Sequence, residues 1–179
     1  MFKLKVWLIR PVILSVVAIA FLFFGCSQKG KENLFNKEEA IEKISNFSLI
    51  DQEGEFHRLS YYNNYDALVL FVQGNGCPNV RNSFQGLGNL QKKFEGRKVK
   101  FLMVNSNIQD SREKIRTEAE EFNVDIPILV DNEQLVANML NLRVTAETLL
   151  IDLKSRDIIY RGPISDRLDY ESQKQEAKK

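Results

Sequence analysis

A chain of 179 residues with 44% hydrophobic and 27% charged residues has the make-up of one ordinary globular domain plus terminal extras. A formal net charge of +1 removes the basic footprint expected of a nucleic-acid binder and gives no case for an acidic partner. No internal repeat and no run of like charges stands out.

The first element is a leader. Lys3, Lys5 and Arg10 precede the apolar run PVILSVVAIAFLFFG, the order of a charged n-region and an h-region. The run ends at FFGC with polar SQKGKEN behind it. That pattern resembles a bacterial lipoprotein signal, which implies lipid on Cys26 as the first mature residue. Phe23 departs from the leucine usual three residues before that cysteine. A permanent membrane helix is the competing reading, since Val6 to Phe24 is nearly long enough to span a bilayer. Either way, residues 1–25 and a tether over 26–44 would hold a soluble domain at the bacterial cell envelope, facing the periplasm or the exterior. The end of the tether, NKEEAIEKI, suits a short helix. With Cys26 lipidated, Cys77 is the one thiol of the mature chain, and an internal disulfide is impossible.

The folded part is expected over residues 45–164. NFSLIDQEGEFHRLS predicts a hairpin about Gly54, anchored by Phe47, Leu49, Phe56 and Leu59. Tyr61, Tyr62 and Tyr65 follow as packing or rim residues. Ala67 to Val72 is continuously apolar, as in a central strand covered on both faces. After the GNG turn, Val80, Phe84, Leu87, Leu90 and Phe94 form a helical stripe, which Gly86 and Gly88 weaken. Val99 to Asn105 is a second buried strand. Asp110 or Ser111 caps the next helix, whose apolar face is Ile115, Ala119 and Phe122. SREKIRTEAEE reads as its wet face, with Lys114–Glu118 and Arg116–Glu120 as four-apart pairs. A strand from about Pro127, a short helix with Leu135, Val136, Met139 and Leu140, and a strand pair about the turn KSR complete the domain. Strands alternating with helices imply an α/β fold with a central, mostly parallel sheet, an antiparallel terminal hairpin and helices on both faces.

This order resembles the thioredoxin-like redoxin domains of the alkyl hydroperoxide reductase and thiol-specific antioxidant group, over Ser45 to Arg161. The resemblance places Cys77 at the family's active-site position. Pro78 suits the first helical position and makes Cys77 the cap. Helix N–H groups and the dipole would then favour a thiolate, with Arg81 adding positive charge if it bends back. Gly74 and Gly76 let the chain turn and leave the thiol uncrowded. Thr145, Ala146 and Glu147 would flank the thiol, Glu147 either accepting its proton or facing water. Asn75 and Asn79 are turn and helix-start residues first.

The departures are specific. Val80 stands where CxxC relatives carry the resolving cysteine. Leu70 and Gly74 replace the proline and hydroxyl residue of the peroxiredoxin loop. Arg143 falls out of register with that family's arginine, and Ala146 takes the usual cis-proline place. Copper-delivery relatives need two loop cysteines and a histidine; here the one histidine, His57, reads as a lone surface residue, so no metal is expected.

Two functions remain open. One is an oxidoreductase of antioxidant or thiol-disulfide type, acting by Cys77 on a small peroxide or a protein disulfide, resolved by an external thiol and without a cofactor. The other is a non-catalytic binding module for an envelope partner. A sulfur facing two or more backbone N–H groups favours the first; one turned into the core under Phe71 or Phe84 favours the second. Residues 165–179 are expected to be a polar tail in which either the last helix is marginal or the chain is a fragment that stops short, the fragment being the preferred reading.

Overall fold

The computed structural model describes residues 43–164. The leader, Cys26, most of the tether and the tail over 165–179 lie outside the described residues. The elements run β1 Ser48–Asp51, β2 Phe56–Arg58, a 3-10 turn Leu59–Tyr62, β3 Ala67–Gln73, α1 Pro78–Lys93 and β4 Val99–Asn105. Then come α2 Arg112–Glu121, β5 Ile128–Val130, α3 Leu135–Met139, β6 Glu147–Asp152 and β7 Ile158–Pro163.

They form one seven-stranded sheet in the order β2-β1-β5-β4-β3-β6-β7. The parallel part is its centre, β3 with β4 and β4 with β5. The leading hairpin docks antiparallel on β5, and β6 and β7 continue antiparallel from β3. The sheet is therefore mixed, with two parallel and four antiparallel pairs, rather than the expected mostly parallel one. Parallel neighbours need long crossovers, and the chain spends its two long helices on those two pairs. Both crossovers step the same way across the sheet, so right-handed connection puts α1 and α2 on one face.

The alternation of β3 assigns the two cores. Val69 and Phe71 face α1 and α2, joining Val80, Phe84, Leu87, Ile115 and Ala119. Leu68, Leu70 and Val72 face the other way, against Val136 of α3, Leu140 at its C-terminal cap and Leu59 from the 3-10 turn. Ile44, expected in the tether, is 5% exposed within that second core, and Lys43 bridges to Asp157. The domain thus starts slightly earlier than Ser45.

Three local expectations change, and the tyrosines divide into packing and rim residues as expected. Phe56 is 54% exposed, in an edge-on ring pair with Tyr61, because β2 is an edge strand with an open face. Leu135 points outward at the start of α3, while Val136 and Leu140 are buried. α1 runs unbroken through Gly86 and Gly88, where an added Cβ would meet open space. Of the tyrosines, Tyr62 and Tyr65 pack on the core and Tyr61 is exposed.

His57 is no lone surface residue. Its Nε2 lies 2.8 Å from an Asp51 carboxylate oxygen and its Nδ1 bonds the Tyr62 hydroxyl. The other Asp51 oxygen accepts the N–H groups of Glu53 and Glu55, both at 2.9 Å, and so ties the hairpin turn.

Candidate active site

Cys77 caps α1 in extended geometry, with Pro78 in the first turn. The cap follows from sequence: proline has no N–H to lose at a helix start, and its fixed φ suits the first turn. Gly76, at φ +73, supplies a backbone shape that costs other residues energy. Gly74 is needed for another reason. A Cβ there would stand 2.7 Å from the Thr145 methyl. Its absence lets the β6 approach close over the loop.

That approach brings Thr145 to Cys77, with Oγ1 and Sγ 3.2 Å apart. The sulfur makes no capping bond to the helix N–H groups. The residue is half-buried and touches the α1-side core. The arrangement lies between the two expected extremes: the thiol is accessible in part, and a hydroxyl, not a fan of backbone amides, is its hydrogen-bond partner. Ala146 is buried behind it, at φ +63, with its N–H on the Val72 carbonyl at 2.7 Å. Among the described residues no peptide bond is cis. The usual proline place is therefore filled by a trans alanine in left-handed backbone, a conformation of the kind that clusters at functional sites.

Two expected partners turn elsewhere. Arg81 does not bend back to the thiol. Its Nε donates to Glu118 at 2.6 Å and its guanidinium lies 4.9 Å from the Phe122 ring centre. The Glu118 hydrogen bond raises its already high pKa. Glu147 neither faces water nor serves the thiol: its carboxylate accepts from Arg161 Nη1 at 3.2 Å, and Arg161 Nη2 donates to the Leu140 carbonyl. Two strand neighbours, β6 and β7, place that pair side by side. Arg143 is exposed and pairs with Asn141.

The residues that hold the loop were not foreseen. Glu118, expected on a wet face with Lys114, is 5% exposed. Both its oxygens accept the Gly76 N–H at 3.0 Å, and Gln73 Nε2 donates to it at 3.4 Å. Asn105 Nδ2 donates to Gln73 Oε1 at 2.6 Å and to Asp110 at 2.9 Å. Asp110 also accepts the Asn75 N–H at 3.0 Å, so Ser111 is left to cap α2. Two buried carboxylates therefore take the two loop N–H groups that precede Cys77. A signal for Glu118 exists in the sequence: with Ile115, Ala119 and Phe122 it completes an i, i+3, i+4, i+7 stripe, so an acid sits on an apolar face.

Comparison with known proteins bears on family and fold. Residues 41–161 match the family model described as AhpC/TSA family. A curated relative, "Thiol-disulfide oxidoreductase ResA" of Geobacillus kaustophilus (strain HTA426), is 28% identical over 67% of this chain and 69% of its own. An uncharacterized conserved protein from Geobacillus kaustophilus has a crystal structure similar at TM-score 0.65 and 26% identity, over 75% of this chain and 71% of that one. Peroxidoxin BcpB from Mycobacterium tuberculosis shares the fold at TM-score 0.57, with 23% identity over 66% of this chain and 81% of its own.

Proposed function

The chain belongs to the AhpC/TSA family, and from that premise we propose that it is a single-thiol oxidoreductase held at the bacterial envelope. The observation that carries the reading is the place of Cys77: first cap of a helix, behind a positive-φ glycine, half-buried, with a hydroxyl 3.2 Å from its sulfur. Val80 stands where a resolving thiol would be, so the cycle needs an external one.

For a disulfide substrate, the Cys77 thiolate attacks one sulfur. The new S–S bond forms as the old one breaks, and the leaving thiolate takes a proton. One external thiol then displaces the second substrate thiol from Cys77. Another releases Cys77 as thiolate, leaving the external pair oxidised to a disulfide. For a peroxide, the thiolate attacks oxygen, the O–O bond breaks and an alcohol or water leaves. The sulfenic acid loses water on condensing with one external thiol, and a second thiol regenerates Cys77. Thr145 is placed to hydrogen-bond the sulfur in either cycle. The missing peroxiredoxin loop residues favour the disulfide cycle with a protein partner. Cys26, lipidated, is the proposed anchor, with an N-terminal helix as the other means of tethering.

A second reading is a binding module with an inert thiol; the contact of Cys77 with the α1-side core supports it. The experiment that separates them is the rate of Cys77 alkylation against pH in the full chain carrying Cys26→Ser. Native labelling with an apparent pKa below the free-thiol value of about 8.5 is expected. Labelling only on unfolding would overturn the redox reading and leave the binding module.

A further inference from the structure

We propose that Glu118 is the positioning residue of the thiol site: it clamps the peptide before Cys77 to the arginine one turn after it, and thereby sets how readily the thiol loses its proton. This rests on the redox reading of Cys77. Glu118 accepts hydrogen bonds from three donors, as a carboxylate requires: Gly76 N, Gln73 Nε2 and Arg81 Nε. On α2, Thr117 and Glu120 are exposed while Ile115 and Ala119 are buried, so Glu118 is an acid on the inward face of the helix. The clamp spans three elements, β3, α1 and α2, and its ends lie at the residue before the thiol and the residue four after it.

The other charges about the site are otherwise engaged or lie at its rim. Asp110 accepts from Asn75, Asn105 and Asn107. Glu147 is paired with Arg161. Lys114 and Glu121, with Glu113, border the open depression of about 520 Å³ beside Gly76 and Arg81. Glu118 and Arg81 thus flank the thiol along the chain, through Gly76 just before it and at the fourth residue after it, with charges of opposite sign. A nearby negative charge disfavours a thiolate and a positive one favours it.

Two variants read the two arms. Glu118→Gln keeps an acceptor oxygen for Gly76 and Arg81 but deletes the negative charge, leaving Arg81 uncompensated. Arg81→Gln does the reverse. In the full chain carrying Cys26→Ser, the apparent pKa from iodoacetamide labelling should fall by about half to one unit in Glu118→Gln and rise by a similar amount in Arg81→Gln. The double variant should lie between them. A purely structural clamp would change stability without this opposed pair of shifts. Should Glu118→Gln not fold, the rise in Arg81→Gln carries the test. Native labelling with one unchanged profile in the folded variants, or a shift of the wrong sign, overturns this inference alone. Absence of native labelling in the parent overturns the redox reading and the inference with it.

Discussion

Two buried carboxylates, Asp51 and Glu118, do the same chemical job at opposite places in the fold. Each is about 5% exposed, and each accepts backbone N–H groups of a turn. Asp51 ties its own hairpin, reaching two and four residues ahead. Glu118 reaches Gly76 from 42 residues away. The first is local turn chemistry that an isolated hairpin can begin to make. The second exists only after α1 and α2 have both docked on one face of the sheet. The contrast shows what a carboxylate gains from distance: it fixes the relation between elements, here the loop that carries the thiol and the helix behind it.

Truncating each acid breaks the comparison most directly. Glu118→Ala leaves the Gly76 N–H and the buried Gln73 amide without this acceptor and releases Arg81. We expect a loss of about 2–3 kcal/mol in urea unfolding, together with an altered Cys77 alkylation profile. Asp51→Ala removes the acceptor of two turn N–H groups and the partner of His57. Here we expect about 1–2 kcal/mol, with the Cys77 profile unchanged. If both acids moved the thiol profile alike, the division between a local tie and a site clamp would fail.

The smallest effect sharpens the hairpin side. The Tyr62 hydroxyl bonds His57, and its pKa is raised, first by burial and then by Tyr65 and Asp51. The folded state therefore favours the neutral phenol. That contribution is fully present below the unfolded tyrosine value of about 10 and is lost as pH rises through the higher folded value. Tyr62→Phe should cost about 0.5–1 kcal/mol at neutral pH for the hydrogen bond. It should also flatten the decline of stability above pH 10. Denaturation midpoints at neutral and alkaline pH measure both effects.

Much of this molecule was legible before its structure. Continuous apolar runs marked β3 and β4 as buried on both sides, and the stripe from Val80 to Phe94 marked α1 and its inward face. Pro78 after Cys77 marked the cap. What stayed hidden depended on partners far along the chain. Phe56 looks like a core anchor until β2 proves to be an edge. His57 looks solitary until the hairpin brings it to Asp51 and Tyr62. Lys114 four before Glu118 suggests a surface pair, but four-apart spacing is satisfied equally by an acid that turns inward toward another element. Gln73 and Asn105 end their strands at paired register positions, and only that register makes them one network.

The distance from Gly76 to Glu118 has a further consequence in time. A chain made from its N-terminus exposes Cys77 well before the segment carrying Glu118 exists. Until α2 seats, the loop lacks its clamp and Arg81 lacks its counter-charge. The architecture about the thiol is acquired late, as one of the products of folding, and only a completed domain possesses it.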